Sequence, residues 1–243
     1  MGNLDRKAVT RRRRPHIASI DGVLFVTFRL VDSIPKSIVR TYRARVLWLQ
    51  SRLEQAATDS SMTTPDGSSP WQTRVEELHR EWFKKSEEIL HRAEHGPTWL
   101  AESAVSERVA ENLHRLDGEA YRLESFSIMS NHVHTIFKPL ISESEFLTLI
   151  RWDGLTPIDQ YPGLSKIMHS LKGRSARECN LMLGRTGSFW EHESFDHVIR
   201  EGKFDKTVRY VLNNPVKAGL VEKWEDWQWN YCRDEIVERF RTK

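Results

Sequence analysis

Cysteine is almost missing from this chain, with only Cys179 and Cys232 among 243 residues. Two thiols give neither a disulfide framework nor a four-cysteine zinc site, so the fold has to rest on a packed core and the pair is expected to stay reduced. No stretch reaches the ~20 consecutive apolar residues of a membrane span. The first residues are polar and arginine-rich, without the apolar centre of a signal peptide. These absences predict a soluble, cytoplasmic protein with no membrane partner. Net charge is also nearly absent, with 37 Lys+Arg against 34 Asp+Glu, a formal +3. The overall balance therefore selects no partner, but its distribution is uneven. The basic excess lies in the first fifty residues and again over about 163–219, and the acidic excess lies between. A binding footprint for a polyanion has this form. The length suits one large domain, or one domain carrying an insertion.

The most informative stretch runs Ile128-Met129-Ser130-Asn131-His132-Val133-His134-Thr135-Ile136-Phe137. On a strand the side-chain period is two, so His132 and His134 share one face and Val133 points to the other. Two imidazoles on one face suit closure on a metal ion. The plain alternative is a strand with two half-exposed polar residues.

Around it the pattern predicts a strand at Val23–Leu30 after Asp21-Gly22. A helix over 36–56 carries Ile38, Tyr42, Val46 and Leu49, and 57–70 is a loop by composition. A second helix carries Trp71, Val75, Leu78, Trp82 and Ile89 before Gly96-Pro97 stops it. A helix over 103–116 follows, with Ser103 as its N-cap. Strands are expected over 119–128 and from His132 to about Phe137, joined through Ser130-Asn131. Residues 139–162 read as loop, with a short helix near 143–151. Then come a helix over 163–183, an extended segment from Ser188 to Arg200 and a last helix over about 203–214. This order predicts an α+β fold, a ferredoxin-like antiparallel sheet with helices on one face, plus a helical-hairpin insertion after the first strand. The division is a basic arm at 1–16, a catalytic domain at 17–232 with the insertion at about 36–96, and a C-terminal tail at 233–243. Arg11, Arg12, Arg13 and Arg14 in the arm are candidates for phosphate contact.

The last helix reads Tyr210-Val211-Leu212-Asn213-Asn214-Pro215. Tyr210 and Asn214 share a face if the helix runs that far, although Pro215 disfavours helical geometry at Asn214. Asn214 offers an amide oxygen as a third metal ligand, and Tyr210 offers a phenol oxygen. A free tyrosine is well under ~1% ionised near neutral pH, so as a nucleophile it needs a metal to polarise and align its target. The bland readings are a core tyrosine and a helix stop.

His132-Val133-His134 with the later Tyr210-x-x-x-Asn214-Pro215 resembles the REP-associated tyrosine transposases, members of the HUH superfamily with a single catalytic tyrosine. Residues 119–138, 163–187, 189–200 and 207–221 resemble the corresponding family segments in order, and Ser130 departs from the proline more frequent there. The resemblance implies a transposase: a metal-dependent endonuclease and strand transferase for single-stranded DNA that forms a 5′-phosphotyrosine intermediate. It implies His132, His134 and Asn214 as metal ligands, Tyr210 as nucleophile, and magnesium or manganese as the divalent metal. It implies single-stranded DNA hairpins from palindromic repeats as partners, with Lys172, Arg174, Arg177, His197 and Arg200 as candidate contacts. The chain would then be a monomer or homodimer, associated with the nucleoid when bound to DNA. The alternative is a catalytically silent hairpin-binding protein that keeps the same fold.

Overall fold

Runs of Phe, Val and Leu build the centre of the fold, because β-branched and aromatic side chains fill both faces of a covered strand. The computed structural model describes residues 22–58, 70–140 and 162–241. The expected arm with Arg11–Arg14 and the expected loop and short helix over 141–161 lie outside them. The strands are β1 (Leu24–Arg29), β2 (Tyr121–Ile128), β3 (His132–Pro139), β4 (Phe195–Val198) and β5 (Asn230–Cys232). They form one antiparallel sheet in the order β4-β1-β3-β2-β5. β1 and β3 are interior strands, as expected from the ferredoxin-like order, and β3 with its two histidines is the middle strand.

The helices are α1 (Lys36–Thr58), α2 (Pro70–Arg92), α3 (Ser103–Arg115), α4 (Pro162–Met182), α5 (Phe204–Leu212), α6 (Asn214–Lys217) and α7 (Asp234–Arg241). α3 and α4 cover one face of the sheet. Their Val105, Val109, Leu113, Ile167 and Leu171 pack with Leu24, Val26, Phe28, Val133 and Phe137. The alternate residues Phe25 and Ile136 point to the opposite face, where Val208, Val211 and Leu212 of α5 and Ile236 of α7 meet them. This second face also carries His132 and His134, since they alternate with Val133 along β3.

Four local features differ from the sequence reading. Glu102, not Ser103, is the N-cap of α3, and no side chain caps that end. The extended segment before Arg200 narrows to the four residues of β4, plus one bridge between Leu30 and Trp190. The last predicted helix is two helices that part at Asn213, since Pro215 has no N–H to carry the ladder through. After it the chain adds the edge strand β5 and the helix α7.

α1 and α2 form the predicted hairpin, with a small core of Tyr42, Val46, Leu49, Val75 and Leu78. Its two ends meet at Gly96. There φ is +70°, and a Cβ would stand 2.6 Å from the Asp32 carbonyl carbon and oxygen. Only glycine allows both this backbone and this approach. The hairpin thus leaves and rejoins the sheet at one point, and α2 lies back across the face that holds the histidines.

Candidate metal centre and its tyrosine

His132 and His134 have no solvent exposure. Strand pairing fixes them between β1 and β2, with His134 opposite Thr27 and Ser127. Their Nε2 atoms lie 3.1 Å apart. The Asn131 amide donates to Leu90 O at 3.1 Å, which turns its Oδ1 towards His132 Nδ1 at 2.7 Å. An amide oxygen only accepts, so His132 carries its proton on Nδ1 and presents a bare lone pair at Nε2. His134 Nδ1 meets the Thr27 hydroxyl at 2.8 Å. A hydroxyl can donate or accept, so this partner suits either tautomer of His134.

Two further residues complete the group, and both come from the insertion. Glu87 and His91 stand four apart on α2. Glu87 Oε2 is 3.2 Å from His134 Nε2. One ligand atom from each of Glu87, His91, His132 and His134 lies within 4.8 Å of all the others. A buried carboxylate beside imidazoles with fixed outer partners is a donor set that can hold a divalent metal. Glu87 Oε1 supports that fit, because it is buried and has no hydrogen-bond partner among the described residues. Burial alone would raise the Glu87 pKa, but the His134 and His132 imidazoles and the Tyr210 hydroxyl outweigh it and hold the carboxyl well below its ordinary range. Burial pushes the pKa of His132 well below 6.5, with His134 acting in the same direction.

Tyr210 joins the group from α5. Its hydroxyl donates to Glu87 Oε2 at 2.5 Å, across 123 residues of sequence. Burial, and then the Glu87 charge, push its pKa far above 10, so it is held as a neutral phenol. Lys217 Nζ sits 3.8 Å from the centre of the Tyr210 ring. Asn214 is buried at the start of α6. Its Nδ2 donates to the carbonyls of Tyr210 and Val211, so its Oδ1 accepts from His91 Nε2 at 2.7 Å. Four residues singled out in the sequence, His132, His134, Tyr210 and Asn214, therefore meet at one place. Asn214 reaches it through His91.

The other candidates are dispersed. His197 lies on the same face, opposite Phe25 in the β1–β4 register, with ring centroids 5.1 Å apart. Arg200 is exposed just beyond β4. Lys172, Arg174 and Arg177 belong to α4, on the opposite face of the sheet. Lys172 Nζ donates to the carbonyls of Glu191 and His192 at 2.6 and 2.8 Å, which ties α4 to the approach to β4. Arg174 pairs with Glu178 at 3.0 Å, and Arg177 is exposed.

Sequence reasoning missed Glu87, His91 and Lys217. The readable signal for the first two was a second row on α2, Phe83-Glu87-His91 at four-residue spacing, beside the tryptophan row. Phe83 sits on Phe25 and Phe195, with ring centroids 5.8 and 4.4 Å away, and seats this row on the sheet.

No protein-family model and no curated protein matches the chain. The chain is similar to a solved structure described as the REP-associated tyrosine transposase bound to a REP hairpin. That structure is 14% identical, with 91% of this chain and 81% of the other covered and a TM-score of 0.44. Among the described residues no helix is long and apolar enough to cross a membrane.

Proposed function

We propose that this protein is a metal-dependent, single-tyrosine endonuclease and strand transferase, a transposase acting on single-stranded DNA hairpins. The observation that carries the reading is the meeting of Tyr210 Oη with Glu87 and the buried His132–His134 pair on one sheet face. A nucleophile, a proton acceptor and metal-ligating nitrogens in one buried group are the parts that phosphoryl transfer to a tyrosine requires. His132 and His134 would hold the divalent metal, magnesium or manganese. When bound, the metal supplies a Lewis acid that polarises the scissile phosphate and fixes its orientation.

The chain's own groups do the rest. Tyr210 Oη attacks the phosphorus, and its proton passes to Glu87 Oε2, the acceptor already bonded to it. The phosphorus–tyrosine bond forms as the bond to the 3′ oxygen breaks, and that oxygen leaves with a proton from water. The product is a 5′-phosphotyrosine and a free 3′ hydroxyl, so the reaction can reverse onto another strand. Lys217 beside the Tyr210 ring adds a cation for the phosphate oxygens. His197 and Arg200, on the open edge of the same face, are the nearer candidates for guiding the strand. Lys172, Arg174, Arg177 and the Arg11–Arg14 arm are more remote phosphate contacts. The hairpin substrate follows from the sequence resemblance. The chain acts as a monomer or homodimer in the cytoplasm, on nucleoid DNA.

The test uses end-labelled single-stranded hairpins from palindromic repeats flanking the gene, with manganese, magnesium or chelator. A protein-linked label on a denaturing gel is expected for the wild type with metal and not for Tyr210→Phe, which still shifts the hairpin on a native gel. A Tyr210→Phe protein that forms the adduct removes Tyr210 as nucleophile. A wild type that shifts the hairpin but makes no adduct with either metal leaves the silent binding protein as the better reading.

A further inference from the structure

We propose that Glu87, carried by the inserted helix α2, is the third protein ligand of the metal centre in place of Asn214. The ligand set is then Glu87, His132 and His134. This rests on the reading above that the group holds a divalent cation.

Three observations select Glu87. Its Oε2 lies 3.2 Å from His134 Nε2, which is itself 3.1 Å from His132 Nε2, so the three side chains already face one another. Its Oε1 is buried and has no hydrogen-bond partner among the described residues. A buried carboxylate oxygen without a partner is costly, and a cation is the species that would satisfy it. One oxygen thus serves the Tyr210 hydroxyl and the other is left for the metal.

The third observation concerns Asn214. Both protons of its amide are committed to the Tyr210 and Val211 carbonyls, and its oxygen is taken by His91 Nε2. His91 stands between Asn214 and the histidine pair, with its ring centroid 5.8 Å from that of His132. Asn214 therefore positions His91, and His91 closes the site from the α2 side.

Donor chemistry agrees. Two imidazoles and an amide carry no negative charge, and hard cations bind such a set poorly. A carboxylate adds the charge, and a two-histidine, one-carboxylate set leaves positions open for phosphate oxygens and water. Its two nitrogens favour manganese(II) over magnesium, which prefers oxygen alone. The helical hairpin is then part of the metal centre.

The experiment is calorimetric titration of manganese(II) into the full chain after chelator treatment, for wild type, His132→Ala, Glu87→Gln and Asn214→Ala. Circular dichroism melts in chelator check folding. His132→Ala should abolish binding. Glu87→Gln keeps the shape and removes the charge, and should weaken binding by more than the ~10–100-fold that loss of an outer partner costs. Asn214→Ala should stay at the low end of that range, about tenfold. Wild-type affinity in Glu87→Gln, or a larger loss in Asn214→Ala than in Glu87→Gln, overturns the assignment of Glu87 and leaves the metal reading standing. Wild-type affinity in His132→Ala, or a wild type that binds no manganese, overturns both. If Glu87→Gln does not fold, Glu87→Asp is read instead. Its shorter arm should weaken binding, and unchanged affinity overturns the assignment.

Discussion

His132 gives its Nδ1 proton to Asn131 and has no exposed surface, so a second proton at Nε2 would put a charge into the site. The folded chain resists that proton and the unfolded chain does not. Below the ordinary histidine value of 6.5 the unfolded state therefore binds more protons, and stability falls as pH falls. Burial moves His91 in the same direction. Glu87 acts in a lower window, since its carboxyl is held below the usual 4.5. Its contribution is present above that value and is lost as pH drops through the folded one. Urea unfolding in chelator between pH 7.5 and 5 should show a slope of up to about 1.4 kcal/mol per pH unit for each such histidine. His132→Gln should flatten it, and a wild type equally stable at both ends would contradict the buried, neutral imidazole. The histidine pair was legible in the sequence because a strand's period of two leaves no choice of face. Glu87 and His91 were not. On a long helix crowded with Glu, Lys and Arg they look like solvated residues, and only the docking of α2 on the sheet buries them.

The helical hairpin was legible as an element and not as a location. The spacing of Ile38, Tyr42, Val46 and Leu49 gave the first helix and that of Trp71, Val75, Leu78 and Trp82 the second, because hydrophobic period reports local burial. Where the pair would lie depended on Gly96, which has no periodic signature, and on Phe83, whose four-residue row with Glu87 and His91 is short and mostly polar. Gly96 combines a positive φ with an Asp32 carbonyl that an added Cβ would approach to 2.6 Å. A methyl group there has to strain the backbone and also displace the Asp32 peptide. Gly96→Ala should cost about 1–3 kcal/mol in urea unfolding. It should also lower manganese affinity, because α2 is held over the sheet from that end. A Gly96→Ala protein with wild-type unfolding and affinity would show that the pinch does not fix the hairpin. The tail was the least legible part. Asn230–Cys232 and Asp234–Arg241 are too short for a pattern to rise above chance, and it is pairing with β2 and burial of Ile236 that define them.

Over the whole molecule the strand order could be inferred because few topologies join β1, β2, β3 and β4 through the expected helices without crossing. The site could be inferred only in part, because its groups converge from α2, β3 and α5. That convergence makes ligand binding a property of the folded chain alone. Manganese should therefore raise the unfolding free energy, by about 2.7 kcal/mol at a hundred times its dissociation constant. A melting temperature that does not move with manganese concentration would contradict it. The same long links have a consequence in time. Glu87 reaches Tyr210, and His91 reaches Asn214, each across 123 residues, and Thr27 reaches His134 across 107. Contacts so distant in sequence are slow to find. During synthesis the hairpin and the first strands leave the ribosome long before the tyrosine, so a growing or prematurely ended chain carries metal-ligating groups without a nucleophile. On the proposed function, the nucleophile is therefore made after both elements that carry the metal-ligating groups, and before the edge strand β5 and the helix α7 that finish its face of the sheet.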